Sequence, residues 1–149
     1  MSRRTTRSGR SATPAARTPA VTAQSPCPCG LPAPYAECCG RLHAGMLAAP
    51  TCESLMRSRY AAFVVRDEAY LLRSWHPGTR PPAVDFDPGT RWVRLEVLET
   101  TDGTAFHTTG TVTFRAHFTD RGQPGTLHEK SRFVRHEGAW VYADGEFVD

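Results

Sequence analysis

Residues 112–133 read VTFRAHFTDRGQPGTLHEKSRF, and this stretch decides the fold. Apolar and polar residues alternate on both sides of a glycine-containing loop, which is typical of two antiparallel strands with one buried face. The same period of two extends outward to residues 91 and 147, and Asp102-Gly103 and Glu137-Gly138 interrupt it as hairpin turns. We therefore predict an antiparallel meander of four strands, at residues 91–100, 105–118, 126–136 and 139–147.

The turns also set a register, because each turn fixes which residues of its two strands face each other. Pairing about the middle loop places Ala116 opposite Glu129 and Val112 opposite Phe133, so that Glu129 and Ser131 lie on the apolar face. The outer turns add further residues to this face, namely Val93, Leu95, Val97, Trp140, Tyr142 and Asp144. The opposite face receives charged residues such as Lys130, as expected of a sheet with one solvated side.

The stretch before the strands has a helical period. Apolar residues recur at helical spacing from Leu55 to Val64, and Thr51 with Ser54 offers side-chain oxygens that can cap the helix start. Asp67 is expected to start a second short helix, which Pro77-Gly78 ends. Two helices followed by an antiparallel sheet predict an α+β domain at residues 51–147, with the helices packed on one face of the sheet.

The positive charge of the chain is concentrated at its N-terminus. The formal net charge is +3, but residues 1–24 carry five arginines and no acidic residue, and the remaining 13 basic and 15 acidic residues sum to −2. The Ser, Thr, Ala and Pro content of this basic tail predicts disorder, and its spaced arginines predict only weak attraction to nucleic acid. No apolar run approaches the ~20 residues of a membrane helix, and no apolar segment follows Arg3-Arg4 as an export signal requires. We expect a cytoplasmic protein without a membrane or nucleic-acid partner.

Four cysteines lie within a short loop, in the sequence Cys27-Pro-Cys29-Gly-Leu-Pro-Ala-Pro-Tyr-Ala-Glu-Cys38-Cys39. Zinc takes four sulfur or nitrogen ligands in a tetrahedron, and a loop rich in Pro and Gly can bring both cysteine pairs onto one ion. Disulfides are not expected in a reducing compartment. We predict that Cys27, Cys29, Cys38 and Cys39 bind one zinc ion. His43 is the fallback ligand, and Cys52 is expected to be a packing residue at the start of the first long helix.

The spacing Cys-x-Cys-x8-Cys-Cys, with Gly30, Tyr35 and Gly40, resembles the SEC-C motif, the zinc tail also found in the SecA translocation ATPase. The later stretches are similar to the bacterial YchJ family, namely residues 50–63, Trp75-His76-Pro77, residues 129–133 and residues 140–145. The resemblance implies a SEC-C zinc knuckle at residues 25–45, followed by a nuclear-transport-factor-2-like (cystatin-like) cone with a curved sheet. It supplies no catalytic residues. Residues 30–35 lack the lysines of the SecA motif, so a SecB-type or ribosomal partner is not expected.

Cone folds of this kind often enclose a cavity between helix and sheet, and Glu129 is expected on its wall. We expect this carboxylate to form a structural ion pair with Arg57 or Arg59, because an unpaired buried charge is costly. The alternative is an unpaired carboxylate that acts as an acid/base with a raised pKa. The candidate cavity residues are Arg57, Arg59, Tyr60, Trp75, Glu129, Ser131 and Asp144.

Two classes of function follow from these features. The favoured one is a non-enzymatic module that binds a protein partner through the zinc knuckle. The alternative is a small-molecule binder or enzyme that uses the cavity. A close arginine–Glu129 pair filling the cavity would favour the first class, and an open cavity with Glu129 unpaired would favour the second.

Overall fold

The structure, a computed structural model, describes residues 20–149. The predicted basic tail therefore lies outside the described residues, except for residues 20–24. Within these five, the Ala23 carbonyl accepts a hydrogen bond from Ala36 N–H at 3.0 Å. The elements are helices α1 (Cys39–His43), α2 (Cys52–Val65) and α3 (Glu68–Arg73), then strands β1 (Thr90–Asp102), β2 (Thr109–Asp120), β3 (Gln123–His136) and β4 (Ala139–Phe147).

Helix α2 begins at the predicted cap. Ser54 N–H donates to Thr51 Oγ1 at 3.1 Å, and Thr51 N–H donates to Ser54 Oγ at 3.1 Å, so the two residues cap each other. The helix ends at Val65 and is capped by Arg66, which adopts a left-handed backbone with a φ of 61°. The side chain of Asp67 then accepts from Tyr70 N–H and starts α3, as expected.

Helix α3 is shorter than the sequence suggests. It ends at Arg73, and the following residues pair with the last strand: His76 N–H donates to the Tyr142 carbonyl, and Tyr142 N–H donates to the Ser74 carbonyl, both at 2.8 Å. These two bonds hold Trp75 against β4 outside any helix.

The sheet is a meander of the four strands in sequence order, every neighbouring pair antiparallel. Its middle register differs by two residues from the prediction, because Ala116 lies opposite Leu127 and Phe114 opposite Glu129. The cause is a tight two-residue turn at Arg121-Gly122, both with positive φ, which lets the strands run further into the loop. A shift of two keeps every side chain on its face, so the predicted sidedness of β2 and β3 is confirmed.

Two bulges place single residues of β1 and β4 on the face of the sheet opposite to the predicted one. In β1 a bulge between Trp92 and Arg94 turns Val93 outward, where it is 60% exposed, and brings Trp92 to the inner face opposite Phe118. A bulge in the pairing of β3 with β4 places Asp144 beside Arg132 on the outer face. A bulge inserts one extra residue, which reverses the alternation beyond it.

The main core lies between α2 and the inner face of the sheet. Leu55, Met56 and Tyr60 pack there against β-strand residues such as Phe133 and Trp140. The structure thus confirms the α+β class, with a helix layer on one face of a four-stranded antiparallel sheet. No helix within residues 20–149 is long and apolar enough to cross a membrane.

Cys52 belongs to this core, as expected of a packing residue. It is buried, and its N–H donates to the Gly103 carbonyl at 2.9 Å. A Cβ atom at Gly103 or Gly110 would lie only 2.7 or 2.8 Å from its sulfur. The two glycines therefore let the first hairpin approach the start of α2 closely.

Candidate metal centre and cavity

The knuckle (residues 25–45) folds into a compact loop whose backbone bonds bring the cysteines together. Cys27 N–H donates to the Ala33 carbonyl at 3.0 Å, and Gly30 N–H donates to the Cys27 carbonyl at 3.1 Å. Gly30 has a φ of 92°, which suits a residue without a Cβ. Cys38 N–H donates to the Tyr35 carbonyl, and Cys39 then opens α1.

The four predicted sulfurs form one cluster. The Sγ atoms of Cys27, Cys29, Cys38 and Cys39 all lie within 4.8 Å of one another, and those of Cys29 and Cys38 are 3.6 Å apart. Tetrahedral sulfurs at the zinc–sulfur bond length are about 3.8 Å apart, so the donor set and its spacing fit a zinc ion. Three of the cysteines are buried and Cys38 is half-buried.

The electrostatics of the cluster also fit a cation. Hydrogen bonds from Cys29 and Cys39 lower the pKa of Cys27 to about 2, whereas burial and the neighbouring thiols raise the pKa of Cys38 to about 12. One thiolate therefore makes the next harder to form, because like charges at this distance repel each other. A divalent cation at the centre would remove this repulsion and allow all four groups to ionise.

Arg57 lies beside this cluster and not in the cavity for which it was a candidate. Its Nη1 donates to the Cys29 carbonyl at 2.8 Å, and its Nε pairs with Glu53 at 2.9 Å. A guanidinium at this place fixes the backbone of one sulfur donor and brings a positive charge close to the thiolates.

His43, the predicted fallback ligand, uses both of its ring nitrogens elsewhere. Nε2 lies 2.8 Å from the Ser58 carbonyl, so Nε2 carries the proton, and Nδ1 then accepts from the Tyr35 hydroxyl at 2.5 Å. The imidazole thus connects the knuckle to α2.

The knuckle packs on the helices through small and apolar residues. Ala61 of α2 is fully buried against the cysteines, and Leu42 packs on Tyr70 and Leu71. Arg73 of α3 donates to the His43 carbonyl at 2.6 Å. The cysteine cluster and α2 therefore share an interface, which the sequence pattern does not indicate.

A cavity of about 320 Å³ lies between α2 and the inner face of the sheet. Five of the seven candidate residues line it: Arg59, Tyr60, Trp75, Glu129 and Ser131. Arg57 and Asp144 do not. The sequence reasoning did not select the remaining wall residues, which are Met56, Phe63, Trp92, Phe114, Ala116, Leu127, Phe133 and Tyr142. The predicted inner face already included Tyr142. It did not include Trp92, because the bulge between Trp92 and Arg94 reverses the alternation at this end of β1.

Glu129 has polar neighbours in the cavity wall but no arginine partner. Its Oε2 accepts from Ser131 Oγ at 2.8 Å and from the Tyr142 hydroxyl at 3.2 Å. Gly145 on β4 leaves room for this carboxylate, since a Cβ there would lie 2.2 Å from Oε2. No arginine in the described part of the chain is within ion-pair distance of Glu129, so the expected ion pair with Arg57 or Arg59 is wrong.

Arg59 is the buried cation of the cavity, with 7% of its surface exposed. Its Nη1 donates to the Leu71 carbonyl at 2.9 Å and to Ser74 Oγ at 2.7 Å. The guanidinium carbon lies 4.8 Å from the ring centre of Trp75 and 4.7 Å from that of Tyr142. Burial lowers its pKa to about 10, which leaves the group charged at neutral pH. The α3 contacts of Arg59 replace the ion pair that the sequence suggested.

Comparisons with known proteins agree with this arrangement of a SEC-C-type cysteine knuckle before an α+β domain. Residues 51–145 match the family model described as "YchJ, middle NTF2-like domain". A UPF0225 protein from Streptomyces coelicolor is 66% identical over 83% of this chain and 97% of its own, and one from Corynebacterium glutamicum is 48% identical over 80% and 95%. The chain belongs to the YchJ family.

Two solved structures are similar to this fold. A SEC-C motif containing protein from Rhodopseudomonas palustris aligns with a TM-score of 0.74 at 34% identity, covering 84% of this chain and 100% of that one. Another from Psychrobacter arcticus aligns with a TM-score of 0.70 at 26% identity, covering 85% of each chain. The resemblance drawn from the sequence is thus confirmed.

Proposed function

We propose that this protein binds a small molecule in the cavity between α2 and the sheet, and that a zinc ion in the knuckle holds the knuckle on α2 as a structural support. One observation carries the first part: the cavity is open, and Glu129 and Arg59 both line it without pairing with each other. This is the arrangement that favours the second of the two function classes. A volume of about 320 Å³ lies within the range of small-molecule sites.

The structural role of the zinc ion is supported by where the sulfurs lie. Cys27, Cys29 and Cys39 are buried and pack against Ala61, so the ion would lie beneath the surface and beside α2. A closed set of four cysteines leaves no open coordination position, as in structural zinc sites. Thiolate ligands need a reducing compartment, and the proposal therefore includes a cytoplasmic location.

A protein-binding role of the knuckle is the second candidate. It is supported by three exposed apolar side chains in and next to the knuckle, Leu31, Met46 and Leu47. Binding through these residues would use the outer surface of the knuckle and would not involve the cavity.

The tryptophans provide a direct test of the cavity. Trp75 and Trp92 line it, whereas Trp140 donates its indole N–H to the Pro50 carbonyl outside it. We expect added indole to shift the side-chain N–H signals of Trp75 and Trp92 in a 15N NMR titration and to leave that of Trp140 in place. The three signals are assigned with single tryptophan-to-phenylalanine variants.

Two variants that each replace an alanine by leucine provide the control for this titration. Ala116→Leu adds bulk to the cavity wall and should abolish both shifts, while Ala139→Leu, at an exposed site on β4, should retain them. Equal shifts of all three tryptophans, or shifts that survive Ala116→Leu, would contradict the proposal.

The zinc ion is tested by native mass spectrometry. We expect one zinc per chain in the wild type and in Cys52→Ser, and none in Cys38→Ser, because Cys52 lies in the core and not in the cluster. Retention of zinc by Cys38→Ser would show that the four-sulfur assignment is wrong.

A further inference from the structure

We propose that the ligand of the cavity is a neutral, planar heterocycle with a cyclic amide (lactam) edge, whose carbonyl accepts from Arg59 and whose N–H donates to Glu129. This inference rests on the proposed binding of a small molecule in the cavity. It adds the chemical class of that molecule.

The walls of the cavity favour a flat, aromatic ligand. Most of the lining is aromatic, contributed by Tyr60, Phe63, Trp75, Trp92, Phe114, Phe133 and Tyr142. Aromatic rings pack well against other rings in stacked or edge-on arrangements, and this packing adds to the burial of apolar surface. A planar ring system therefore gains more contact here than a branched aliphatic molecule of equal volume.

The polar groups of the cavity converge around one residue. The ring of Tyr142 lies under the Arg59 guanidinium, and its hydroxyl donates to Glu129, which also accepts from Ser131. Because Tyr142 contacts both residues, a ligand with a donor and an acceptor along one edge can face Arg59 and Glu129 together. The C=O and N–H of a cyclic amide are adjacent atoms on one edge of a ring and have this arrangement.

Both charged groups have hydrogen-bonding capacity that the protein leaves unused. Arg59 donates through Nη1 alone, so its Nε and Nη2 have no acceptor among the described residues, although the side chain is more than nine-tenths buried. Glu129 accepts through Oε2 alone, and no side chain or backbone group of the described chain donates to its Oε1. An unpartnered polar group is costly where it is buried, as Arg59 is, and Glu129 is half-buried beside it. A ligand that offers one acceptor and one donor would use part of the free capacity of Arg59 and the free Oε1 of Glu129.

The charge balance of the cavity favours a neutral molecule. Arg59 and Glu129 contribute one positive and one negative charge to the same cavity. An anionic ligand would meet the Glu129 carboxylate, and a cationic ligand would meet the buried guanidinium. A zwitterion would have to lose the hydration of two charges, which is expensive in an aromatic environment. A neutral amide makes charge-assisted hydrogen bonds to both residues without this cost.

Probes of similar size separate the two hydrogen bonds. Oxindole carries the lactam edge, 2-indanone keeps a carbonyl but has CH2 in place of N–H, and indole keeps the N–H without the carbonyl. We expect oxindole to bind at least about tenfold more tightly than either analogue, since each missing charge-assisted bond is worth about one factor of ten. Affinities are read from the Trp75 and Trp92 signals, and free tryptophan serves as the zwitterionic probe.

A variant assigns the N–H contact to its partner. Glu129→Gln should reduce the preference for oxindole over 2-indanone to within about threefold, while the affinity for 2-indanone itself stays unchanged. Lys130→Ala, at the exposed neighbouring position, should keep the full preference. The comparison of the three probes on the wild type decides the question even if Glu129→Gln fails to fold.

The outcomes distinguish the two proposals. If all the probes shift Trp75 and Trp92 with equal affinities, the cavity binds small molecules but the lactam class is wrong. Tighter binding of free tryptophan than of oxindole would also overturn the neutral class. If no probe shifts the two tryptophans, the proposed function itself fails.

Discussion

Replacing Leu42 by alanine tests whether the knuckle and the α+β domain form one folding unit. Leu42 lies in α1, is 8% exposed, and packs on Ala62, Tyr70 and Leu71 of α2 and α3. If this interface exists, the substitution removes buried apolar surface that belongs to both parts of the protein. If the knuckle were an appendage, the unfolding of residues 51–147 would not change.

The magnitude follows from the burial of this side chain. Leu-to-Ala substitutions in well-packed cores cost about 2–5 kcal/mol. Leu42 lies at the edge of its cluster, where neighbours can relax and water can enter, so we expect about 2–3 kcal/mol. For a domain of this size this loss lowers the melting temperature by roughly 6–15 °C.

Urea unfolding followed by far-UV circular dichroism measures the effect, with zinc present throughout. The matched control is Leu31→Ala in the same knuckle, because Leu31 is 42% exposed and its removal should change the free energy of unfolding by about 0.5 kcal/mol or less. A loss below 1 kcal/mol for Leu42→Ala, or equal losses for the two variants, would refute the shared interface.

Three further predictions concern the thiols and the cavity. A zinc chelator at pH 8 should open the knuckle and make its four thiols reactive to a thiol-specific reagent, while Cys52 stays slow because it is buried in the core between α2 and the sheet; five fast thiols would mean that the core has opened too. Glu129→Ala should lower the free energy of unfolding by about 2 kcal/mol, because the carboxylate accepts from Ser131 and Tyr142. Lys130→Ala should change it by no more than about 0.5 kcal/mol, and equal urea midpoints for the two variants would place Glu129 in solvent. Gly145→Ala should displace the Glu129 carboxylate and weaken the binding of oxindole more than that of 2-indanone, and unchanged affinities by NMR titration would contradict the close approach of Gly145 to Glu129.

The alternating pattern predicted the sheet well, because it depends only on local sequence. The middle register was wrong by two residues, but a shift of two preserves which face each residue occupies, so Glu129 and Ser131 still point inward. The bulges were not predictable in the same way. Val93 and Asp144 are on the outer face because each bulge accommodates one extra residue. No Gly or Pro marks the bulge at Val93, whereas Gly145 follows Asp144 as a local signal that the alternating pattern alone did not use.

The cysteine cluster and the cavity differ in how much of each could be predicted. All four cysteines come from one short loop, so their spacing alone indicated that they meet. The partners of Arg57 and Arg59 depend instead on how the knuckle and α3 pack against α2, which no periodicity encodes. Arg57 therefore appeared as a cavity residue in the sequence and lies beside Cys29 in the structure.

The position of the cysteines in the chain has a consequence for biosynthesis. The last of the four, Cys39, is made long before Tyr142 on the final strand, which completes the cavity. With the proposed zinc ion, a nascent chain can load its metal while most of the domain is still to be translated, and the loaded knuckle then presents Leu42 to the emerging α2. Zinc shortage should accordingly affect newly made chains first, because finished molecules keep three of the four sulfurs buried.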